Sequence, residues 1–464
     1  MDGPPTLHWA GGEVQASADE LVAFHHVFRS VFRRREQRKW SALYLAGQLS
    51  NLERKTLEPI VTAFCGADPN AMRGLQQFIS QSPWWAGELI RLLQEQVAEE
   101  LGDHDGVVIV DGSGFPKRGS HTVGVAPQYC GAVGKVANCQ EGVFAVYASG
   151  HGYAFLDERL YVHESWFGDD LRELWPECDI PEDLVFHTEP ELALEMLQTL
   201  VTRGQVPFRW VTSDAHFVEI PAFLDGVDDL GKWYLSEVPR DTRVWEQTPA
   251  VEPPGRGVLG RPRTKPRVSR KAPCPRELQE LAARLPKAAW SRHLIKEGSQ
   301  GPLIADFAFL RVTAIRDGLP GPRVWAIFRR RRGKEPDLKF YLSNAPASCP
   351  RRTFIALSGL RWPIETALEE DKGEAGMDQY ESRSWVSWHH QMAHAFLAHL
   401  CLVHLCRVFK KSPAMAIAQA RELIARALED EQDHRPDILS IITYQQKRNY
   451  AAYLSHRRRR RRKR

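Results

Sequence analysis

The sequence predicts an α/β protein with a mixed β-sheet, preceded by an all-helical N-terminal region, and three observations predict it. Helical periodicity fills the chain from about Ser17 to Glu100. At Gly106 the texture changes to short β-branched runs bounded by glycine. Those runs are then interleaved with a helix and a further strand, the order that packs helices onto a sheet. At 464 residues the chain is long enough for several domains.

The elements follow in order. LVAFHHVFRSVF, SALYLAGQL, MRGLQQFI and AGELIRLLQEQVAEEL repeat apolar residues at i, i+3, i+4, and read as a separate helical domain over residues 1–103. Basic residues punctuate it, from Arg33 to Arg38 and again at Arg54 and Lys55. GVVIVDGSG, HTVGVAPQYCG and GVFAVYASG are three short strands. ELALEMLQTLVTRG is a helix that leads into the strand FRWVTSDAHF, and KWYLSEVP is one more strand, which closes a first core segment at 104–240.

Between Pro253 and Arg276 stand six prolines and eight Arg or Lys, with no acidic residue, so an exposed, extended, basic segment is expected. Strand-like runs resume at PLIADFAFLRVTAI, PRVWAIFRRRR and KFYLSNAP, making 241–345 a basic insertion with its own small sheet. FIALSGLRWPIETALEEDKGEAG and HHQMAHAFLAHLCLVHLCRVF supply long helices for a second core segment at 346–425. Residues 426–464 end in a polybasic run.

Composition narrows the function. With 43% hydrophobic and 26% charged residues the chain is globular in type, and no apolar stretch reaches the roughly 18 residues that span a bilayer. The N-terminal MDGPPTLHWAGGEV has neither the basic nor the apolar part of a signal peptide. Eight scattered cysteines without a CxxC pair argue against a zinc knuckle or a disulfide scaffold and for a reducing compartment, with the protein cytoplasmic. The net charge of +4 is local in origin: Arg457 to Arg464 are all Arg or Lys, and without them the rest of the chain sums to −4. Such clustered charge suits phosphate, since each neutralised phosphate releases condensed counterions.

The acids carry the chemistry. Asp111 ends one apolar run, Asp214 ends another, and Glu365 lies on a helix far downstream. Three carboxylates converging at a sheet edge form a cage for hard divalent cations. Each acid also has a plainer reading: Asp111 before Gly112 as a turn, Asp214 after Ser213 as a helix N-cap, and Glu365 as one exposed helix carboxylate among Glu369, Glu370, Asp371 and Glu374. Composition does not choose between these readings. His389, His390, His394, His399 and His404 recur along one segment, and the pattern fits an amphipathic helix covering the core better than a metal site.

A resemblance does choose. R361-W-P-I-E365-T-A-L-E-E-D-K372 resembles the R-(3)-E-(6)-K signature of bacterial insertion-sequence DDE transposases of the hairpin-forming type. The segment from Asp111 to Phe144 is similar to the surroundings of the first catalytic Asp in one branch of that group, and LERKTLEPI and SRSWVSWHHQMAHAFLAHL extend the likeness over most of the chain. The resemblance implies a ribonuclease-H-like core interrupted by a β-rich insertion. It implies Asp111, Asp214 and Glu365 as metal ligands for Mg²⁺ or Mn²⁺, two ions per site, with Arg361 and Lys372 on the DNA phosphates. The partner it implies is double-stranded DNA, the element's terminal inverted repeats and a target, bound by a homodimer or larger assembly near the bacterial nucleoid.

Lys117, Lys135, Arg54 and Lys55 are further candidate DNA contacts, and Trp245, Trp290 and Trp325 are candidates for the insertion Trp that stacks on a flipped base in such enzymes. Two departures stand out: Ser358 occupies the place where the signature usually has Tyr, and Asp214 is followed by Ala215-His216-Phe217 where the group often has Gly-Tyr after one residue. Two other functions compete with transposition: a DNA-binding relic that no longer cuts, and a nuclease that cuts without joining. In a eukaryotic cell the arginine run would double as a nuclear signal.

Overall fold

The computed structural model of the chain describes residues 12–255, 263–298, 301–331, 337–409 and 415–430, with isolated positions between 443 and 454. The arginine run and parts of the proline-rich segment lie outside the described residues.

Five helices come first: α1 (Gly12–Val27), α2 (Arg35–Leu49), α3 (Leu57–Cys65), α4 (Pro69–Ser80) and α5 (Ala86–Leu101). Pro69 opens α4 behind Asp68, whose side chain accepts the Asn70 amide, a start the sequence encodes locally. Then come β1 (Val107–Pro116), β2 (Ala126–Cys130), β3 (Lys135–Ser149), β4 (Gly152–Tyr161), α6 (Asp169–Arg172), α7 (Glu189–Arg203), β5 (Trp210–Ser213), α8 (Pro221–Asp229) and β6 (Trp233–Tyr234). They are followed by β7 (Ser236–Val238), β8 (Arg243–Trp245), β9 (Val251–Glu252), β10 (Arg267–Val268), β11 (Arg276–Glu277), α9 (Leu278–Arg284), β12 (Ser291–Gly298), β13 (Gly301–Arg316), β14 (Leu319–Arg331) and β15 (Asp337–Ser343). The chain continues through α10 (Arg351–Leu357), α11 (Trp362–Glu370), a π turn (Asp371–Ala375), α12 (Trp385–Val408) and α13 (Ile417–Asp430).

The result is a mixed α/β architecture with two main sheets. The first runs β2-β3-β1-β5-β6, with β4 also on β3. Within it β1 is antiparallel to β3 but parallel to β5, and β5 is parallel to β6. The second runs β11-β8-β13-β14-β15-β7, with β12 on β13, and its pairs are antiparallel. It begins at Ser236, before the expected insertion boundary, and the Ser213 hydroxyl meets the Ser236 hydroxyl at 3.0 Å, tying the two sheets where β5 ends.

Three expectations change. Helix α12 is not an amphipathic cover: 17 of its 24 residues are buried, so it is a central strut rather than a lid. The N-terminal helices are not a separate body, because they share one continuous apolar core with α12 and the first sheet. His390 shows how: its ring nitrogens lie 2.9 Å from the Ile79 and Trp84 carbonyl oxygens, which accept from whichever nitrogen carries the proton, and its ring stacks on Trp84 at 3.7 Å. The proline-rich segment, though extended where it is described, is not left unpaired either, since β9 and β10 form a ribbon around Glu252, which pairs with Arg263 and Arg267.

Candidate active site

Val107 to Val110 are buried in succession, as befits a central strand covered on both faces. The parallel register of β1 and β5 ends at the pair Val110 and Ser213. Asp111 and Asp214 are each the next residue, so the two acids stand side by side where the parallel pairing of β1 and β5 ends. β1 has an antiparallel neighbour, β3, on its other side, and the carboxyl edge of the parallel strands is the side on which open α/β sheets gather their sites.

Asp111 is not a turn residue: β1 runs on to Pro116, paired with β3 throughout. The glycines of DGSG instead provide room. A Cβ on Gly112 would come within 3.0 Å of Glu189 and 3.2 Å of Glu141, and one on Gly114 within 2.7 Å of the Cys130 sulfur. The cap-like reading of Asp214 is half realised. Its Oδ1 accepts the His216 amide at 2.9 Å, while Oδ2 faces the site.

Glu365 sits in the first turn of α11 and Arg361 immediately precedes that helix. The Arg361 guanidinium lies among the acids: Nη2 is 3.7 Å from Asp111 and 3.9 Å from Asp214, Nε is 3.4 Å from Glu365, and Nη1 is 3.8 Å from Glu237. Among the described residues no three His, Cys, Asp or Glu side chains are drawn tightly enough together to hold a metal ion. The oxygen donors are nonetheless of the type that hard divalent cations take. Burial, and then the neighbouring Asp214, push the Asp111 carboxyl up to about 7, partly opposed by Arg361.

Lys372 falls in the π turn and does not continue the α11 face. Its ammonium donates to the Ser113 hydroxyl at 2.7 Å, two residues beyond Asp111 on the same face of β1. Lys117 turns inward onto Tyr380, bonding its carbonyl at 3.0 Å and lying 3.2 Å from the ring centre, with burial lowering its pKa to about 8. Lys135 and Arg54 are exposed. Lys55 is a correction: it is buried, and its ammonium donates to the carbonyls of Gln48, Ser50 and Glu374, so its charge staples the α2–α3 connection to the π turn rather than facing a phosphate.

Trp245 and Trp325 are buried, the latter donating to the Pro346 carbonyl. Trp290 is partly exposed with Arg330 4.1 Å above its ring. Ser358 is buried and donates to the Ile355 carbonyl within its own helix turn.

Several residues around the site were not singled out by sequence. Glu237 on β7 accepts Lys339 on both oxygens, at 3.1 and 3.0 Å, while facing Arg361. Lys296 of β12 lies 4.3 Å from the Trp362 ring centre and close enough to Glu365 for that carboxylate to raise its pKa, against a larger lowering by burial. Glu141 of β3 is pushed up to about 8 by burial and by Glu189, opposed by Lys372. No spacing rule points to these positions, because the second sheet and the β1–β3 register bring them in.

A mixed sheet that places two aspartates side by side past its parallel pairing, facing a glutamate-bearing helix across a shared arginine, defines the class: an α/β protein with a carboxylate cluster at its sheet edge. The sequence model of the family described as DDE superfamily endonuclease matches residues 27–302, more than half of the chain, and the chain belongs to that family. The matched span includes Asp111 and Asp214 and ends before Glu365. The chain is 29% identical over 194 residues to a probable transposase for insertion sequence element IS701 from Microchaete diplosiphon, a match that covers 41% of this chain and 46% of that protein. It thus spans less than half of that relative's length. The crystal structure of the NurA nuclease from Sulfolobus solfataricus aligns with 64% of this chain and 87% of its own at 13% identity, but the TM-score of 0.26 carries no argument. Among the described residues no helix is long and apolar enough to cross a membrane.

Proposed function

We propose that this chain is a DNA transposase that cuts at the terminal inverted repeats of its element and joins the freed 3′ ends to target DNA. The observation that carries the reading is the adjacency of Asp111 and Asp214 just past the end of the parallel β1–β5 pairing, with Glu365 reached through Arg361. The strand order of the first sheet, three antiparallel strands continued by two parallel ones, supports the expectation of a ribonuclease-H-like core. The relative's name supports transposition over simple cleavage.

In this reading Asp111, Asp214 and Glu365 hold Mg²⁺ or Mn²⁺, with Glu365 turning inward on its exposed helix turn. Two bound ions supply Lewis acidity at phosphorus and lower the pKa of the attacking water or 3′-hydroxyl. Arg361 and Lys372 grip phosphate oxygens flanking the scissile bond, Arg361 in a bidentate fork and Lys372 as a point charge swung from Ser113. Lys296 and exposed Lys135 and Arg54 extend the cationic track for the duplex. Assembly as a dimer or larger unit follows from the need to hold two element ends together.

The test is incubation of the full-length protein with labelled terminal-repeat DNA and Mg²⁺ or Mn²⁺, followed by pre-cut ends offered with a target plasmid. Cleavage is expected to fall by about 10³-fold or more in Asp111→Ala, Asp214→Ala and Glu365→Gln. Glu369→Gln should cut normally, and retained repeat binding in all four separates lost chemistry from lost affinity. Joining of pre-cut ends distinguishes a transposase from a nuclease; binding without cutting under every metal condition would leave only a DNA-binding relic.

A further inference from the structure

We propose that Arg361 is an exchangeable counter-ion: it occupies the carboxylate set while DNA is absent and moves onto a DNA phosphate when the duplex arrives, so that metal and DNA bind cooperatively. The proposal rests on the reading of Asp111, Asp214 and Glu365 as the metal-holding acids. Its own support is the quality of the contacts. Some arginines of this protein are fastened to one carboxylate by short hydrogen bonds, as in Arg316 to Asp225 at 2.7 and 2.8 Å, while others, such as Arg243 and Glu277 at 3.9 Å, only face it. Arg361 instead faces four carboxylates at 3.4 to 3.9 Å. Its Nε is buried without a hydrogen-bond partner. One guanidinium is thus shared electrostatically among four acids and fixed to none.

The charge count makes the arrangement provisional. With Lys339 committed to Glu237 and Lys296 near Glu365, the single charge of Arg361 is still spread over Asp111, Asp214 and two further acids. Divalent cations would neutralise them better, but a guanidinium within 4 Å of the same oxygens repels the incoming ion and takes its space. A phosphodiester offers Arg361 a bidentate acceptor matched to its fork, a contact that none of the four acids makes with it here. Glu237 makes the exchange local. It sits on β7 rather than at the end of the β1–β5 pairing, it faces Nη1 while Nη2 faces the two aspartates, and Lys339 holds it in place. Arg361 can therefore pivot about the Glu237 contact, releasing Asp111 and Asp214 together. Reciprocity follows: if DNA tightens metal binding, metal tightens DNA binding by the same factor.

The experiment is Mn²⁺ binding to the full-length protein, measured calorimetrically with and without a short repeat duplex and corrected for Mn²⁺ bound by the duplex alone. The wild type should bind Mn²⁺ weakly by itself and about tenfold more tightly with DNA. Arg361→Gln should bind Mn²⁺ about tenfold more tightly than the wild type without DNA and gain little from it. Arg361→Lys, which keeps a positive charge, should stay near the wild type. Equal Mn²⁺ affinity with and without DNA in the wild type overturns the exchange, whatever the variants do. Asp111→Asn distinguishes the two readings: if it leaves Mn²⁺ affinity unchanged, the carboxylates are not the metal ligands, whereas weakened binding without DNA linkage removes only the exchange.

Discussion

Asp111 is held by a strand whose preceding four residues are buried, next to a second acid, and its raised pKa of about 7 makes the site pH-sensitive at neutrality. Folding raises this pKa, so the stabilisation from the bound proton is complete below the unfolded value of 3.8 and is lost as pH rises through about 7. A divalent cation needs the ionised form. Between about pH 6 and about pH 8, Mn²⁺ affinity should rise while the melting temperature of the metal-free protein falls. Asp111→Asn should flatten most of that fall in differential scanning fluorimetry, and an unchanged slope would mean that another group, such as Glu141, dominates. At this scale the acids at the ends of apolar runs could be named from sequence because hydrophobic runs mark where burial stops, which for β1 is before the strand itself ends. Glu237 and Lys296 could not, since only the packing of the second sheet against the first gives them their neighbours.

The elements were legible where periodicity was clean and obscured where burial was total. The strand over GVVIVDGSG was recognisable, but not its continuation to Pro116, which depends on the partner β3 rather than on local pattern. β4 shows burial unbroken from Ala154 to Glu158, which erases the period of two that marks a half-exposed strand. Helix α12 likewise lacks a polar face: His390, His394 and His404 line the seam with the N-terminal helices, while His389 and His399 turn to Glu158 and Glu370. Burial lowers His390 to about 4 and His394 well below its usual value, so both are neutral in the fold. A lowered histidine pKa gives stability that is present above the unfolded value of 6.5 and lost as pH falls through about 4. Charging His390 alone should cost about 3 kcal/mol. The melting temperature should therefore drop steeply between about pH 6.5 and about pH 4, and His390→Gln should make that drop shallower while lowering stability at neutral pH. A parallel curve for the variant would assign the acid sensitivity to His25 or His394 instead.

At the scale of the whole molecule, the helices ahead of β1 and the helix near residue 400 complete each other. Tyr44 bonds Gln391, Ser41 lies 3.3 Å from His394, and Trp84 stacks on His390. Sequence could suggest that the first hundred residues were helical, but not that their apolar faces were made for a partner some three hundred residues away, because amphipathicity identifies a buried face without identifying what buries it. Residues 104–430 produced without the first five helices should accordingly fail to give a cooperative melt by circular dichroism, since one side of α12 would be stripped; a sharp transition would show that the two parts fold independently. The same interleaving has a consequence during synthesis. At about 5–20 residues per second, the contact between Trp84 and His390 must wait on the order of 15–60 s after Trp84 is made. Glu365 also arrives long after Asp111, so the nascent chain lacks the full set of acids around Arg361 until more than three quarters of it has been translated.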